Sequence, residues 1–275
     1  MSASSLEAIW RRFDEAERRL STPLSQRMLE LAALAPGQQV LDLACGRGEP
    51  AIPAAWRVHP GGQVLAQDLD ASMLSLARER ASAVGLPAGL LQLREGNAER
   101  LDGLADAHFD AVLLRWGLMY FKQPLTALHE VRRVLKPGGR FVAALWVEPE
   151  QASFFTLPRR VLAPWRELPL PDLTQPGTFA YAEQSRIEQD LAAAGLQLLA
   201  LEQQWVPVME AADAEDLIAW VRSFGLNRAM AGLDEAAQQA WEAALLAACE
   251  PLREADGFIR LGGISRQVLA ERTKD

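Results

Sequence analysis

The stretch Val40-Leu41-Asp42-Leu43-Ala44-Cys45-Gly46-Arg47-Gly48-Glu49-Pro50 decides the reading of this chain. A short apolar run stops at an acid, passes through small residues and two glycines, and reaches a proline. That order predicts a buried strand ending in a tight turn that opens a helix. Gly46 and Gly48 carry no Cβ, so a ligand can approach the backbone closely there. A helix N-terminus presents unpaired N–H groups, and Pro50 suits a first helical turn, where a missing N–H costs nothing. Strand, glycine turn and helix are together the parts of a nucleotide-type cofactor site.

Working outward, the turn alone leaves two cofactor classes open. A dinucleotide fold favours G-x-G-x-x-G with pyrophosphate on the helix N-terminus, whereas here the glycines stop at Glu49-Pro50, and an acid is unwelcome beside a pyrophosphate. About 20 residues on, Val64-Leu65-Ala66-Gln67-Asp68 reads as a second strand ending in a carboxylate able to accept both hydrogen bonds of a ribose diol. That feature fits either class. The next segments separate them. Leu90 to Glu99 predicts a third strand and a polar turn, Phe109 to Phe121 a fourth strand and its loop, and Glu130 to Val142 a helix end, a Lys136-Pro137-Gly138-Gly139 turn and a fifth strand. Strands alternating with helical stretches from 40 to 147 argue for a parallel sheet with helices on both faces.

In that order and spacing, these segments resemble the class I S-adenosylmethionine-dependent methyltransferases. The likeness is to the branch holding the ubiquinone/menaquinone C-methyltransferases and many natural-product methyltransferases. It covers residues 5–147 and is weaker from 148 onward, although Leu261-Gly262-Gly263-Ile264-Ser265-Arg266 through Ala270 also fits. The resemblance implies an α/β, Rossmann-like, seven-stranded, mostly parallel sheet with helices on both faces. It also implies N-terminal helices, a helical cap inserted in the C-terminal half, and a last pair of strands that run antiparallel at one edge. A single methyltransferase domain is expected over 1–275, with N-terminal helices in 1–36, a cofactor-binding core in 37–147, and cap or substrate insertions in 148–180 and 208–256.

The resemblance also implies roles, residue by residue. Gly46 and Gly48 pass close to the methionine portion of S-adenosyl-L-methionine, and Asp42 orients that turn or meets the cofactor amino group. Asp68 holds the ribose hydroxyls. Leu69 and Met73 pack on adenine, with ordinary core packing as the other reading of Met73. Asn97 stands where an Asp is common beside the adenine amino group, and Ala98 offers its N–H to a ring nitrogen. Ala44 replaces a common glycine and is tolerated if its φ is negative. Arg115 turns its carbonyl toward the cofactor, pairs with an acid or grips an anionic substrate. Trp116, Met119, Tyr120, Phe121 and Trp146 lie at the carboxyl ends of strands, where ligands bind in open α/β sheets. They are candidates for an apolar substrate wall, core packing being the alternative. Trp10 and Phe13 either close the site or dock their helix.

Composition bounds the rest. The 275 residues are 49% hydrophobic, enough for a sizeable core, and the net charge of −8 disfavours nucleic acid or an anionic membrane as partner. No apolar run reaches the roughly 18 residues of a membrane span, and the first residues lack the regions of a signal peptide. The two cysteines, Cys45 and Cys249, do not make a disulfide framework or a metal set. These features predict a cytoplasmic protein without a bound metal; the resemblance adds the expectation of an enzyme acting on a small molecule, as monomer or homodimer. Of the histidines, His59 and His108 read as loop residues and His129 as a helix residue. Tyr120, Arg115 and His129 are the weak candidates for a catalytic group, since a base is needed only where the attacking atom must lose a proton. Further along, prolines crowd 148–180, a helix over 182–194 closes at Gly195, a strand follows near 197–207, and 213–255 reads as helical with Asp213 as its cap. An NAD-dependent oxidoreductase, or a binding protein that kept the fold without catalysis, are the competing readings.

Overall fold

The apolar run around Val40 forms β1 (Gln39–Leu43), in which every residue after Gln39 is buried. The computed structural model describes residues 3–274, with the side chains of 3–12, 224 and 225 outside what it describes. After β1 the chain runs through α2 (Ala51–Val58), β2 (Gln63–Asp68), α3 (Ala71–Ala83), β3 (Leu91–Glu95), β4 (Phe109–Arg115), α4 (Pro124–Val134) and β5 (Leu135–Trp146). It continues through α5 (Ser153–Leu162), α6 (Gln184–Ala194), β6 (Leu196–Ala211), α7 (Ala214–Val221), α8 (Asn227–Met230), α9 (Glu235–Cys249) and β7 (Ile259–Arg272), with α1 (Ala3–Leu31) preceding β1.

Among the described residues the sheet has seven strands in the order β3-β2-β1-β4-β5-β7-β6. β1 to β5 pair in parallel, and β7 runs antiparallel to β5. This is the mostly parallel, Rossmann-like arrangement expected from the sequence. The order reverses beside β1, and in open α/β sheets such a switch point, at the strands' carboxyl ends, is where ligands bind. Val40, Leu41, Leu43, Val112, Leu113, Leu114, Phe141 and Val142 are fully buried at the sheet's centre, as a parallel sheet covered on both faces requires.

The chain divides into two compact units. The larger comprises Pro23–Val147, Asp172–Gln204 and Ser265–Asp275; the smaller comprises Met1–Thr22, Glu148–Pro171 and Trp205–Ile264. The larger holds β1 to β5 with α2, α3, α4 and α6. The smaller holds α5 and α7 to α9, with α5 and α7 both packed on α9 and Trp241, Leu245 and Cys249 of α9 fully buried. A buried carboxylate, Glu210, is held in the smaller unit by Arg19 and by Arg260, the latter at 2.9 Å.

Three local readings change. Ser21-Thr22-Pro23 reads as a helix break, yet α1 runs straight through Pro23. Leu20, Leu24, Met28 and Leu31 keep the helical spacing across the proline, and all are buried. Burying each contributes roughly 1.5–3 kcal/mol, together more than the ~3 kcal/mol that an interior proline costs. Thr22 Oγ1 also donates to the Arg18 carbonyl at 2.7 Å, occupying an acceptor in the disturbed turn. Lys136-Pro137-Gly138-Gly139 is not a turn before β5 but a bulge inside it: Phe109 pairs with Leu135, while Ala111 pairs with Arg140. The helical stretch over 213–255 is α7, a π-helical turn at Arg222–Leu226, α8 and α9 rather than one helix.

Two boundary signals read from sequence hold. Gly195 closes α6 in the left-handed region at φ 72°, and Asp213 caps α7 by accepting the Asp216 N–H at 2.9 Å. Asp213→Ala removes that acceptor and the charge at the helix N-terminus. It is expected to lower stability by about 1 kcal/mol, read as a drop in the urea midpoint with unchanged slope.

Candidate functional site

The site grows from the turn after β1. Ala44, Gly46 and Gly48 lie at φ 50°, 51° and 88°, so three alternate residues adopt the left-handed region. For the glycines this is cost-free, and a Cβ built on Gly46 meets no atom within 4 Å, so that side of the backbone is open to a ligand. Ala44 is the exception. The sequence reading required a negative φ there, and the structure shows a positive one. An L-residue in this region costs roughly 1–2 kcal/mol, and such strain persists only where the surroundings over-determine it.

The surroundings do so from two sides. The Cys45 N–H donates to the Gln67 carbonyl at 3.1 Å, and the Gly46 N–H donates to Asp68 Oδ2 at 2.8 Å. Asp68 Oδ1 takes the Asp70 N–H at 2.9 Å, and Asp70 caps α3 through the Ser72 N–H at 2.8 Å. On the other side, a Cβ on Gly117 would stand 2.7 Å from the Ala44 Cβ. The turn after β4 therefore rests directly on the turn after β1, and Gly117 is the residue that allows it.

Ala44, Asp68, Leu69 and Ala98 form one side of a cleft of about 230 Å³. Gly96, Trp116, Gly117, Tyr120 and Phe121 complete it. The cleft lies at the carboxyl ends of the parallel strands, and of these residues Leu69 and Tyr120 are the most open to solvent. Trp116 sits at φ 54°, and its ring stacks on Trp146 with centroids 4.7 Å apart and planes 17° apart. Its Nε1–H donates to Ser265 Oγ at 3.1 Å, and Ser265 Oγ donates on to the Leu145 carbonyl at 3.2 Å. Trp146 is thus a support behind Trp116. Tyr120 OH shares a hydrogen bond with Thr178 Oγ1 at 3.1 Å, and the Gly177 N–H donates to the Met119 carbonyl at 2.9 Å.

Asp42 lies beneath the turn. It is fully buried, and neither carboxylate oxygen has a hydrogen-bond partner. Burial pushes its pKa well above the ordinary carboxylate range; the Arg115 charge and, more weakly, the Ala51 backbone N–H at the start of α2 oppose that rise, and the nearby Glu49 and Asp68 charges add to it. Burial likewise pushes the Cys45 thiol up, which keeps it un-ionised. Arg115 donates from Nε to the Glu49 carbonyl at 3.0 Å, with its guanidinium 4.8 Å from the Trp116 ring centroid.

The remaining sequence candidates fall elsewhere. Met119 is buried below the cleft and Met73 is half-buried on α3. The Asn97 side chain is exposed, its carbonyl oxygen accepting the Glu99 N–H at 2.8 Å in a local turn. His129 lies on the exposed side of α4, in a separate surface groove with Arg132 and Arg133. Phe13 is buried in the smaller unit, and the side chain of Trp10 lies outside the described residues. Gly96 and Gly117 also line the cleft and are not among the residues selected from the sequence. Their signal is a glycine directly after a predicted strand or one residue beyond it. No helix among the described residues is long and apolar enough to cross a membrane.

Comparison with known proteins agrees with this geometry. Residues 41–143 match the model of the methyltransferase domain family. The ubiquinone/menaquinone biosynthesis C-methyltransferase UbiE of Ectopseudomonas mendocina is 34% identical over 147 residues, covering 54% of this chain and 51% of that protein. The chain thus spans about half the length of the curated relatives it matches. In fold it is similar to the [4+2]-cyclase SpnF, with TM-score 0.58 and 21% identity over 92% of this chain and 81% of that one. It is also similar to an S-adenosylmethionine-dependent methyltransferase from Aquifex aeolicus, with TM-score 0.53 and 19% identity over 70% and 90% of the two chains. The family resemblance read from the sequence is thereby borne out.

A buried acid without a partner favours its neutral form, so ionising Asp42 opposes folding of the ligand-free protein. The unfolded chain ionises first as pH rises above the ordinary value of 3.8, and stability is lost from there up through the folded-state pKa. Asp42→Asn is therefore expected to be more stable than the parent at neutral pH, with the gain vanishing as pH falls to about 3.8. Urea unfolding at stepped pH measures it; a gain constant across pH would contradict it.

Proposed function

We propose that this chain, whose residues 41–143 match the methyltransferase domain family, transfers a methyl group from S-adenosyl-L-methionine to an apolar or aromatic small molecule. The observation that carries the reading is the β1 turn, held by the Asp68 carboxylate at its Gly46 amide and open where Gly46 lacks a Cβ. Each oxygen of Asp68 accepts one N–H, which leaves lone pairs for a ribose diol. Leu69 and Ala98 flank that carboxylate in the cleft and suit the faces and edge of a purine. Asp42, buried and unpartnered, is the kind of group that a cationic amino acid portion would satisfy. These residues fit the cofactor.

When bound, the cofactor supplies an activated methyl group on a sulfonium, so the protein needs no strong catalyst of its own. Its residues bind, orient and exclude water, and these effects can provide much of the acceleration. Trp116, backed by Trp146, and Phe121 offer an apolar wall for the acceptor. Tyr120, a cleft residue whose hydroxyl shares a hydrogen bond with Thr178, is the group we assign to relay a proton if the attacking atom carries one. His129 has no place in this scheme. The net charge of −8 supports a small-molecule partner over nucleic acid. The proposal also includes a single catalytic chain of the cytoplasm, working as monomer or homodimer without a metal. The match to UbiE supports quinone-type or natural-product chemistry.

Calorimetric titration with S-adenosylhomocysteine and, separately, with NAD tests the cofactor. Binding of the first and not the second is expected. Asp68→Ala removes charge-assisted hydrogen bonds of about 1.5–3 kcal/mol and should weaken S-adenosylhomocysteine binding roughly 10- to 100-fold. Undiminished affinity in that variant, or selective binding of NAD, would overturn the reading.

A further inference from the structure

Arg115 stands where three parts of the larger unit meet. Asp42 of β1 is in register with Leu113 of β4. Side chains two residues apart on a strand share a face, so Arg115 leaves β4 on the face that carries Asp42. With strands about 4.8 Å apart and a rise of about 3.3 Å per residue, that diagonal is about 8 Å, within reach of an arginine side chain. From there its Nε–H reaches the Glu49 carbonyl in the cofactor turn at 3.0 Å, and its guanidinium packs 4.8 Å from the centre of Trp116 in the cleft wall. Asp42 itself has no hydrogen-bond partner and no solvent. The charged groups that act on it are Arg115 from β4, Glu49 from the turn and Asp68 from the end of β2. Two of those are acids, and Arg115 alone of the three is positive.

We infer that Arg115 is a positioning residue of the methyl-transfer site: it leaves β4 on the face that carries Asp42, and its Nε–H and guanidinium face hold the cofactor turn against Trp116. The inference rests on the proposed cofactor reading and deepens it. An anionic Asp42 attracts the cationic end of the cofactor, and a protonated one does not. Affinity should therefore fall as pH drops through the Asp42 pKa, tenfold for each further unit. An opposite charge beside a carboxylate lowers its pKa by about 1–3 units, so neutralising Arg115 moves this break upward by the same amount.

The experiment is calorimetric titration of S-adenosylhomocysteine into the full chain from acid to alkaline pH, for the parent, Arg115→Gln, Arg115→Lys, and each variant combined with Asp42→Asn. Arg115→Gln is expected to shift the affinity break up by about 1–3 pH units, and Asp42→Asn to abolish that break. Arg115→Lys keeps the charge but loses the planar donor, so its break stays near the parent's while affinity falls at every pH. A loss in Arg115→Gln that is equal at all pH values, or an unshifted break, overturns the inference, because a purely structural arginine would behave so. The same shift is read without ligand from urea unfolding, as the pH at which Asp42→Asn begins to gain stability over its own background. Should the parent bind no S-adenosylhomocysteine at any pH, the functional reading falls and the ligand-free shift decides the role of Arg115. Should Arg115→Gln fail to fold, Arg115→Lys decides it: a break moved as far as neutralisation predicts would overturn the inference, and a break kept with weakened binding would support it.

Discussion

The hydrogen bond from the Gly46 amide to the Asp68 carboxylate is the constraint on which the site depends. Parallel strands leave their carboxyl ends without a shared turn, so nothing in the sheet itself fixes how the loops after β1 and β2 lie together. One carboxylate does this. It takes the turn after β1 on one oxygen and the start of the α3 cap on the other. A hydrogen bond to a charged acceptor contributes about 1.5–3 kcal/mol, enough to hold a short glycine turn in a single conformation. The acid proposed to hold the ribose is thus also the acid that shapes the turn.

With that turn fixed, the next contact follows. Ala44 is carried into the left-handed region, and its methyl group faces Gly117 so closely that any side chain there would collide with it. The turns after β1 and β4 consequently close on one another, and Trp116 is delivered to the cleft at a positive φ of its own. Strain of this kind clusters at functional sites because the surrounding packing can sustain it. Trp146 stacks on Trp116 and Ser265 accepts from its indole nitrogen, so the Trp116 ring is held from behind by a ring and from its edge by a hydroxyl.

The charges follow a different logic. A carboxylate at full burial with no partner is a liability to folding, and Asp42 is the fourth of the five residues of β1, of which all but the first are buried. Arg115 partly offsets that cost through its charge while tying the turn and Trp116 through its shape. Local rules broken without local compensation mark sites where function sets the residue. Asp42 and Ala44, two positions apart, both break such a rule, one by its burial without a full hydrogen bond and the other by its positive φ, and the glycine at 117 leaves room for the Ala44 methyl group.

Much of this was legible in the sequence. Alternating apolar runs and glycine turns determined a parallel α/β sheet, the β1 turn, the acid ending β2, and the cap at Asp213, because each leaves its signal in residue types close along the chain. The helix through Pro23 was not legible, since the burial of Leu20, Leu24, Met28 and Leu31 outweighs the local cost of a proline only once there is something to bury against. Nor was the bulge at Lys136–Gly139, which depends on register with β4. In the site, the acids and glycines were readable by type, while the sign of φ at Ala44, the role of Gly117, the stacking of Trp116 on Trp146 and the removal of His129 to another face were decided only by the tertiary structure. Pairing within a strand or turn is encoded by neighbouring residues, whereas which side chains face one another across β1 and β4 is settled by packing among segments some seventy residues apart.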